Sequence, residues 1–182
     1  SVSWGEEATG VADRRFAKAG IGLTRQPGNA AAEGGDAASY HRLRIEHGIA
    51  EAPADYLNGD AFPHDMLLDR SGGLSFRKGC YVGQEVVSRM QHRGTARRRP
   101  VIVTGEADLP ATGTELLAGG KPIGTLGSVS GTRGLAIVRI DRAADAMHGG
   151  TPITADGMPV TVALPQWTGL AFPQETAEVP AQ

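Results

Sequence analysis

The sequence predicts an α+β chain, with a loop-rich first half carrying short helices followed by a small antiparallel β-barrel or sandwich. Apolar positions recur at helical spacing in residues 36–47, and Gln84 to His92 reads as a second helix. From Arg97 onward, short β-rich runs follow one another with Gly, Pro and Asp turns between them. The 26 glycines, with 40% apolar and 5% aromatic residues over 182 positions, suit a turn-rich mixed fold long enough to bury a core.

Taken in order, residues 1–19 are polar and alanine-rich, with a short helical turn expected over Asp13 to Ala19. Gly20 to Arg25 alternates small and apolar residues and reads as a strand; Gln26 to Gly35 reads as a loop. Asp36 or Ser39 offers an N-cap for a helix to His47, and Gly48 is placed to stop it. Tyr40, Leu43 and His47 share one face of that helix, and Glu46 can pair with Arg42 one turn earlier. Ala50 to Gly73 reads as mostly irregular, anchored by Met66-Leu67-Leu68; so long a loop in a compact domain is usually functional.

The β-rich runs are Pro100–Thr104, Thr114–Leu117, Pro122–Leu126, Gly134–Arg139 and Val160–Leu164. Ala118-Gly119-Gly120-Lys121 and Asp156-Gly157 look like hairpin connections. Between these strands only a turn at Arg142 to Met147 interrupts the pattern. The boundary between halves is expected near Gly94–Arg98. That divides the chain into 1–96, a barrel domain 97–170 and a flexible tail 171–182.

One cysteine cannot close an internal disulfide, which excludes a disulfide-stapled module and favours a reducing compartment. No run reaches the apolar length of a membrane-spanning helix, and no signal segment opens the chain, which begins Ser-Val-Ser-Trp. Net charge is −2, yet residues 89–99 carry Arg89, Arg93, Arg97, Arg98 and Arg99 with no acid. A basic patch on an acidic chain points to a particular anionic partner rather than to general nucleic-acid binding. Arginine forks suit a carboxylate-rich tail or a phosphate; a solvated hinge is the alternative. The five histidines lack zinc spacing, and no nucleophile elbow, Walker loop or dinucleotide fingerprint occurs.

The lone cysteine lies in Lys78-Gly79-Cys80-Tyr81-Val82-Gly83-Gln84-Glu85. A helix beginning near Gly83 and an ammonium at Lys78 would both favour thiolate over thiol at Cys80. The alternative is a small buried hydrophobe. Glu46 stands near a helix C-terminus, where the dipole disfavours an acid, so it is either a solvated surface charge or is kept for another role.

Together, Leu43-Arg44-Ile45-Glu46-x-Gly48-Ile49, the Pro63 loop with Leu67-x-Asp69, Ser75-Phe76-x-Lys78-Gly79-Cys80-Tyr81-x-Gly83-Gln84-Glu85 and Arg89 resemble the YgfZ-type folate-binding proteins. The later Gly124-x-x-x-Ser128 and Leu164-Pro165 also fit. These are iron–sulfur cluster maturation factors related to the glycine-cleavage T-protein, an aminomethyltransferase. The resemblance covers nearly the whole chain, and the octad around Cys80 is highly specific to this branch. Relatives carry a further segment ahead of Ser1, so the chain looks like a C-terminal portion; His47 stands where relatives often have a small residue.

The resemblance implies part of a T-protein-like folate-binding α+β domain over residues 1–96, followed by the barrel. It implies tetrahydrofolate or a derivative as cofactor. Glu46 accepts from the pteridine, with Arg44, Tyr81, Gln84, Arg97 and Arg98 as further contacts. Cys80 and Lys78 become the reactive pair. One thiolate cannot hold a stable four-thiolate cluster, so any cluster contact at Cys80 is transient and no resident metal is expected. The implied function is a folate-dependent accessory role in iron–sulfur cluster assembly or repair of client enzymes, tRNA-modifying enzymes among them. The implied setting is a bacterial cytoplasm or a mitochondrial matrix, with folate and client proteins as partners and neither membrane nor direct nucleic-acid contact. The alternatives are a tetrahydrofolate-dependent aminomethyltransferase or demethylase, and a non-catalytic module docking an acidic client or RNA. A classical transferase need not present a thiol, so the octad speaks against an enzyme.

Overall fold

Two hydrophobic clusters organise the chain, one small and built on Phe16, the other filling a β-barrel. The computed structural model describes residues 2–4, 10–25, 36–93 and 96–174. The loop expected over Gln26 to Gly35, the interruption at Gly94 and the tail from Glu175 fall outside these residues.

The first unit opens with β1 (Val2–Trp4), β2 (Val11–Ala12), α1 (Arg14–Lys18) and β3 (Leu23–Arg25). The three strands form an antiparallel sheet with β3 in the centre. Asp13 caps α1 by accepting the Arg15 N–H at 3.0 Å. Its carboxylate also takes the Arg15 and Arg25 guanidinium groups at 2.7 and 2.8 Å. Burial alone would raise its pKa, but the Arg15 hydrogen bonds and charge, helped by Arg25, outweigh it and hold Asp13 at about 2.

Helix α2 (Ala37–Glu46) starts where Asp36 accepts the Ser39 N–H at 2.6 Å. It ends at Gly48, whose φ of +68° is costly for any residue with a Cβ. Tyr40 and Leu43 turn to the Phe16 cluster with Ile49 and Trp167. Arg42 donates to Ser39 Oγ at 3.1 Å, the use the structure shows for it in place of the expected Glu46 pairing. The irregular segment that follows contains a 3₁₀ turn, Pro63–Met66, and buries Met66 and Leu67, the anchor expected there. Helix α3 (Gln84–Arg93) then leads towards the barrel.

The barrel comprises β4 (Arg98–Gly105), β5 (Glu115–Ala118), β6 (Lys121–Ser130), β7 (Arg133–Arg139), β8 (Ile153–Ala155) and β9 (Met158–Ala163). Every pairing is antiparallel, and the order β4-β7-β6-β5-β8-β9 closes when β9 pairs with β4. Alternate residues such as Val101, Val103, Leu126, Ala136 and Val138 fill the interior. Both expected hairpins form: Ala118 pairs with Lys121 and Ala155 with Met158, with positive φ at the two residues between.

Two features of the barrel differ from the sequence reading. The turn expected at Arg142 to Met147 is a nine-residue helix, α4 (Ile140–His148), whose Ile140, Ala143 and Ala146 join the barrel core. Strand β8 carries no strand signal in the sequence because it is only three residues long. Beyond the barrel, Trp167 Nε1 donates to the His47 carbonyl at 2.7 Å. Phe172 packs on the barrel core.

Candidate functional site

Cys80 is exposed on the loop leading into α3. Gly83, at φ +84°, turns the chain into the helix, and the Gln84 side chain reaches back to accept the Tyr81 N–H at 3.2 Å. The Lys78 ammonium lies over the Tyr81 ring, 4.4 Å from its centroid. That cation–π contact is what the structure shows for the charge expected beside the thiol.

α3 is amphipathic: Val87 is buried, while Glu85 and Arg89 pair across one exposed turn at 2.8 Å. Between this helix and the loop runs an open groove of about 1100 Å³, bordered by Phe76, Lys78, Tyr81, Gln84, Arg89 and His92. It therefore combines cations, hydrogen-bonding groups and a half-exposed aromatic ring. Beneath it, His64 is 2% exposed, contacts Gln91 of α3 through Nε2 at 3.1 Å and stacks obliquely on Phe76 at 6.1 Å. Burial raises the carboxyl pKa of the adjacent Asp65, against the lowering effect of the Phe62 N–H and of Arg98 and Arg99.

Glu46 lies elsewhere. It is exposed at the end of α2, on a shallow groove of about 270 Å³ shared with Arg42, Ile45, Ser130, Thr132 and Arg133. This groove has no residue in common with the one beside Cys80. Among the described residues Glu46 has no ion-pair partner. Its carboxylate can accept a pair of N–H groups, and Arg42 and Arg133 suit anionic groups.

The other sequence candidates separate. Arg44 points inward and is fully buried, with its guanidinium on Asp55 at 2.5 Å, the Ile49 carbonyl at 3.0 Å and Ser128 Oγ at 2.6 Å. Arg97 and Arg98 are exposed at the start of the barrel, and Arg98 borders a cleft of about 430 Å³ with Asp60 and Ile137. Arg99, by contrast, is buried and donates to Asp69 and to the His64 carbonyl. Sequence reasoning missed Asp55, His64 and Gln91; their partners are remote in the chain, so no local spacing marks them.

Residues 97–170 match the CAF17 C-terminal β-barrel domain. Across more of its length, the chain is similar to iron–sulfur cluster assembly factors of the IBA57 type. It is 34% identical to the mitochondrial IBA57 of Mus musculus over 73% of this chain and 38% of the relative. It is also 34% identical to that of Homo sapiens, over 79% of this chain and 43% of the relative. The IBA57 homologue of Chaetomium globosum is 51% identical over a shorter span, 34% of this chain and 14% of the relative. The chain thus spans less than half the length of the curated relatives it matches.

Proposed function

We propose that the protein acts in the assembly or repair of iron–sulfur clusters, presenting Cys80 to a client protein. The observation that carries this reading is the position of Cys80: exposed, on the loop whose Lys78 and Tyr81 line an open groove of about 1100 Å³ beside α3. The similarity to proteins named as iron–sulfur cluster assembly factors supports it. The cluster is the cargo. One thiolate supplies one ligand, so the remaining ligands come from the client or from another carrier and the contact is transient. tRNA-modifying enzymes are the client class we favour. A reducing interior, bacterial cytoplasm or mitochondrial matrix, suits an exposed unpaired thiol. Among the described residues no helix is long and apolar enough to cross a membrane.

In the same reading, Glu46 holds tetrahydrofolate or a derivative by its pteridine edge, with Arg42 and Arg133 beside it. Bound there, the cofactor supplies a one-carbon carrier. The protein's own part is to orient the ring through a carboxylate that accepts two N–H groups. Lys78, Tyr81 and Gln84 belong to the groove beside Cys80, so we assign them to client docking rather than to the pteridine.

The test uses the full-length protein. Cys80→Ser should leave folding intact and lower the activity of cluster-dependent clients, while Glu46→Gln should weaken binding of 5-formyltetrahydrofolate measured by calorimetry. Normal client activity with Cys80→Ser sinks the first assignment; unchanged affinity with Glu46→Gln sinks the second. Turnover of an aminomethyl donor by the wild type would replace both with a transferase.

A further inference from the structure

The groove at Glu46 is made by two units, one wall from α2 and the other from the β6–β7 hairpin through Ser130, Thr132 and Arg133. Its shape therefore depends on how α2 is held against the barrel. Strand β6 carries a bulge at this point, because its register with β7 shifts between Leu126 and Val129. The Ser128 N–H, inside that bulge, donates to Asp55 Oδ1 at 2.7 Å.

Asp55 Oδ2 accepts the Glu51 N–H at 2.8 Å and Arg44 Nη1 at 2.5 Å, while Arg44 Nη2 closes the ring on Ser128 Oγ at 2.6 Å. The Asp55 and Arg44 side chains are 1% and 0% exposed. A Cβ at Gly127 would come within 2.6 Å of Asp55 Oδ1, so glycine is what lets the carboxylate reach the bulge. Arg44 and Glu46 lie two residues apart on α2, so fixing the first against the barrel sets where the second stands relative to Ser130 and Arg133.

We infer that Asp55 is a positioning residue for the Glu46 groove, locking α2 to the β6 bulge so that a ligand held by Glu46 is read by both units at once. This rests on the reading of Glu46 as the ligand's carboxylate partner. A ligand bridging the two walls then stabilises their docking, and by linkage the intact lock strengthens ligand binding.

The experiment measures 5-formyltetrahydrofolate affinity of the full-length protein by calorimetry, together with amide exchange at Ser128 with and without ligand. The variants are Asp55→Asn, Ser128→Ala and Glu46→Gln. Ser128→Ala removes only the hydroxyl contact to Arg44, so it carries the test if Asp55→Asn does not fold. The lock predicts affinity lower by about tenfold in the folded Asp55 or Ser128 variant, with Glu46 intact, and ligand-induced slowing of Ser128 exchange in the wild type. A purely structural role would lower melting temperature and leave the affinity of folded molecules unchanged. That result, with Glu46→Gln weakened, overturns the lock alone. Wild-type affinity in Glu46→Gln overturns the reading of the groove and the lock's purpose with it.

Discussion

Arg99 and Asp69 form a two-pronged ion pair between β4 and the irregular segment before α3, with nitrogen–oxygen distances of 2.9 and 3.3 Å. Both side chains are nearly buried, at 7% and 6% exposure, and Arg99 also donates to the His64 carbonyl. The pair fastens the segment beneath the Cys80 loop to the barrel.

Arg99→Ala leaves the Asp69 carboxylate buried beside only the more exposed Arg70. The expected cost is about 3–5 kcal/mol, the range for breaking one half of a buried pair. Urea denaturation checks it. Replacing both partners by apolar residues should cost less than the single change; equal costs would mean the carboxylate finds another partner.

Gly48→Ala should destabilise through two effects. The position has φ +68°, and a Cβ would lie 2.2 Å from Pro165 Cγ and 3.4 Å from Ile102 Cγ1. The left-handed conformation alone costs about 1–2 kcal/mol, and the collision adds to it. Thermal melting should show a larger drop for this variant than for Gly59→Ala, where φ is +95° and the Cβ meets nothing within 4 Å.

The acid limb of stability should report Asp13. Its folded pKa of about 2 lies below the ordinary 3.8, so its stabilisation is complete above 3.8 and is lost as pH falls from there towards 2. Asp13→Asn should lower stability at neutral pH and flatten the pH dependence in that window. A wild-type slope in the variant would assign the acid sensitivity to other carboxylates.

Cys80, being exposed, should react with a maleimide on the folded protein nearly as fast as in denaturant. Cys80→Ser should change stability by no more than about 0.5 kcal/mol, as for other surface substitutions. Slow labelling that accelerates only on unfolding would place the thiol in a covered site and remove the basis for client contact.

The barrel strands were legible because interior and exterior residues alternate and because Gly-Gly and Asp-Gly mark hairpins where positive φ is needed. Asp36 and Gly48 likewise announced both ends of α2. Helix α4 reads in the sequence only as a turn at Arg142 to Met147, because β7 runs into it without a break and the strand signal ends at Arg139, directly before its first residue, Ile140. For Cys80 the sequence leaves a reactive thiolate and a small buried hydrophobe both open, and its exposure disfavours the second, whereas Arg44, expected as a ligand contact, and Arg99, expected in a basic patch, are both buried. Their burial depends on Asp55, Ser128 and Asp69, and hydrophobic period carries no information about partners so distant.

Closure of the barrel by β9 on β4 also bears on synthesis. Ile102 waits for Ala163, and Gly105 for Val160, before the second edge of β4 is covered. On a ribosome the chain emerges from its N-terminus, so β4 stands with an open strand edge while all the intervening strands are being made. That interval is when wrong pairing between neighbouring nascent chains is easiest, and when a chaperone that shields strand edges has most to offer.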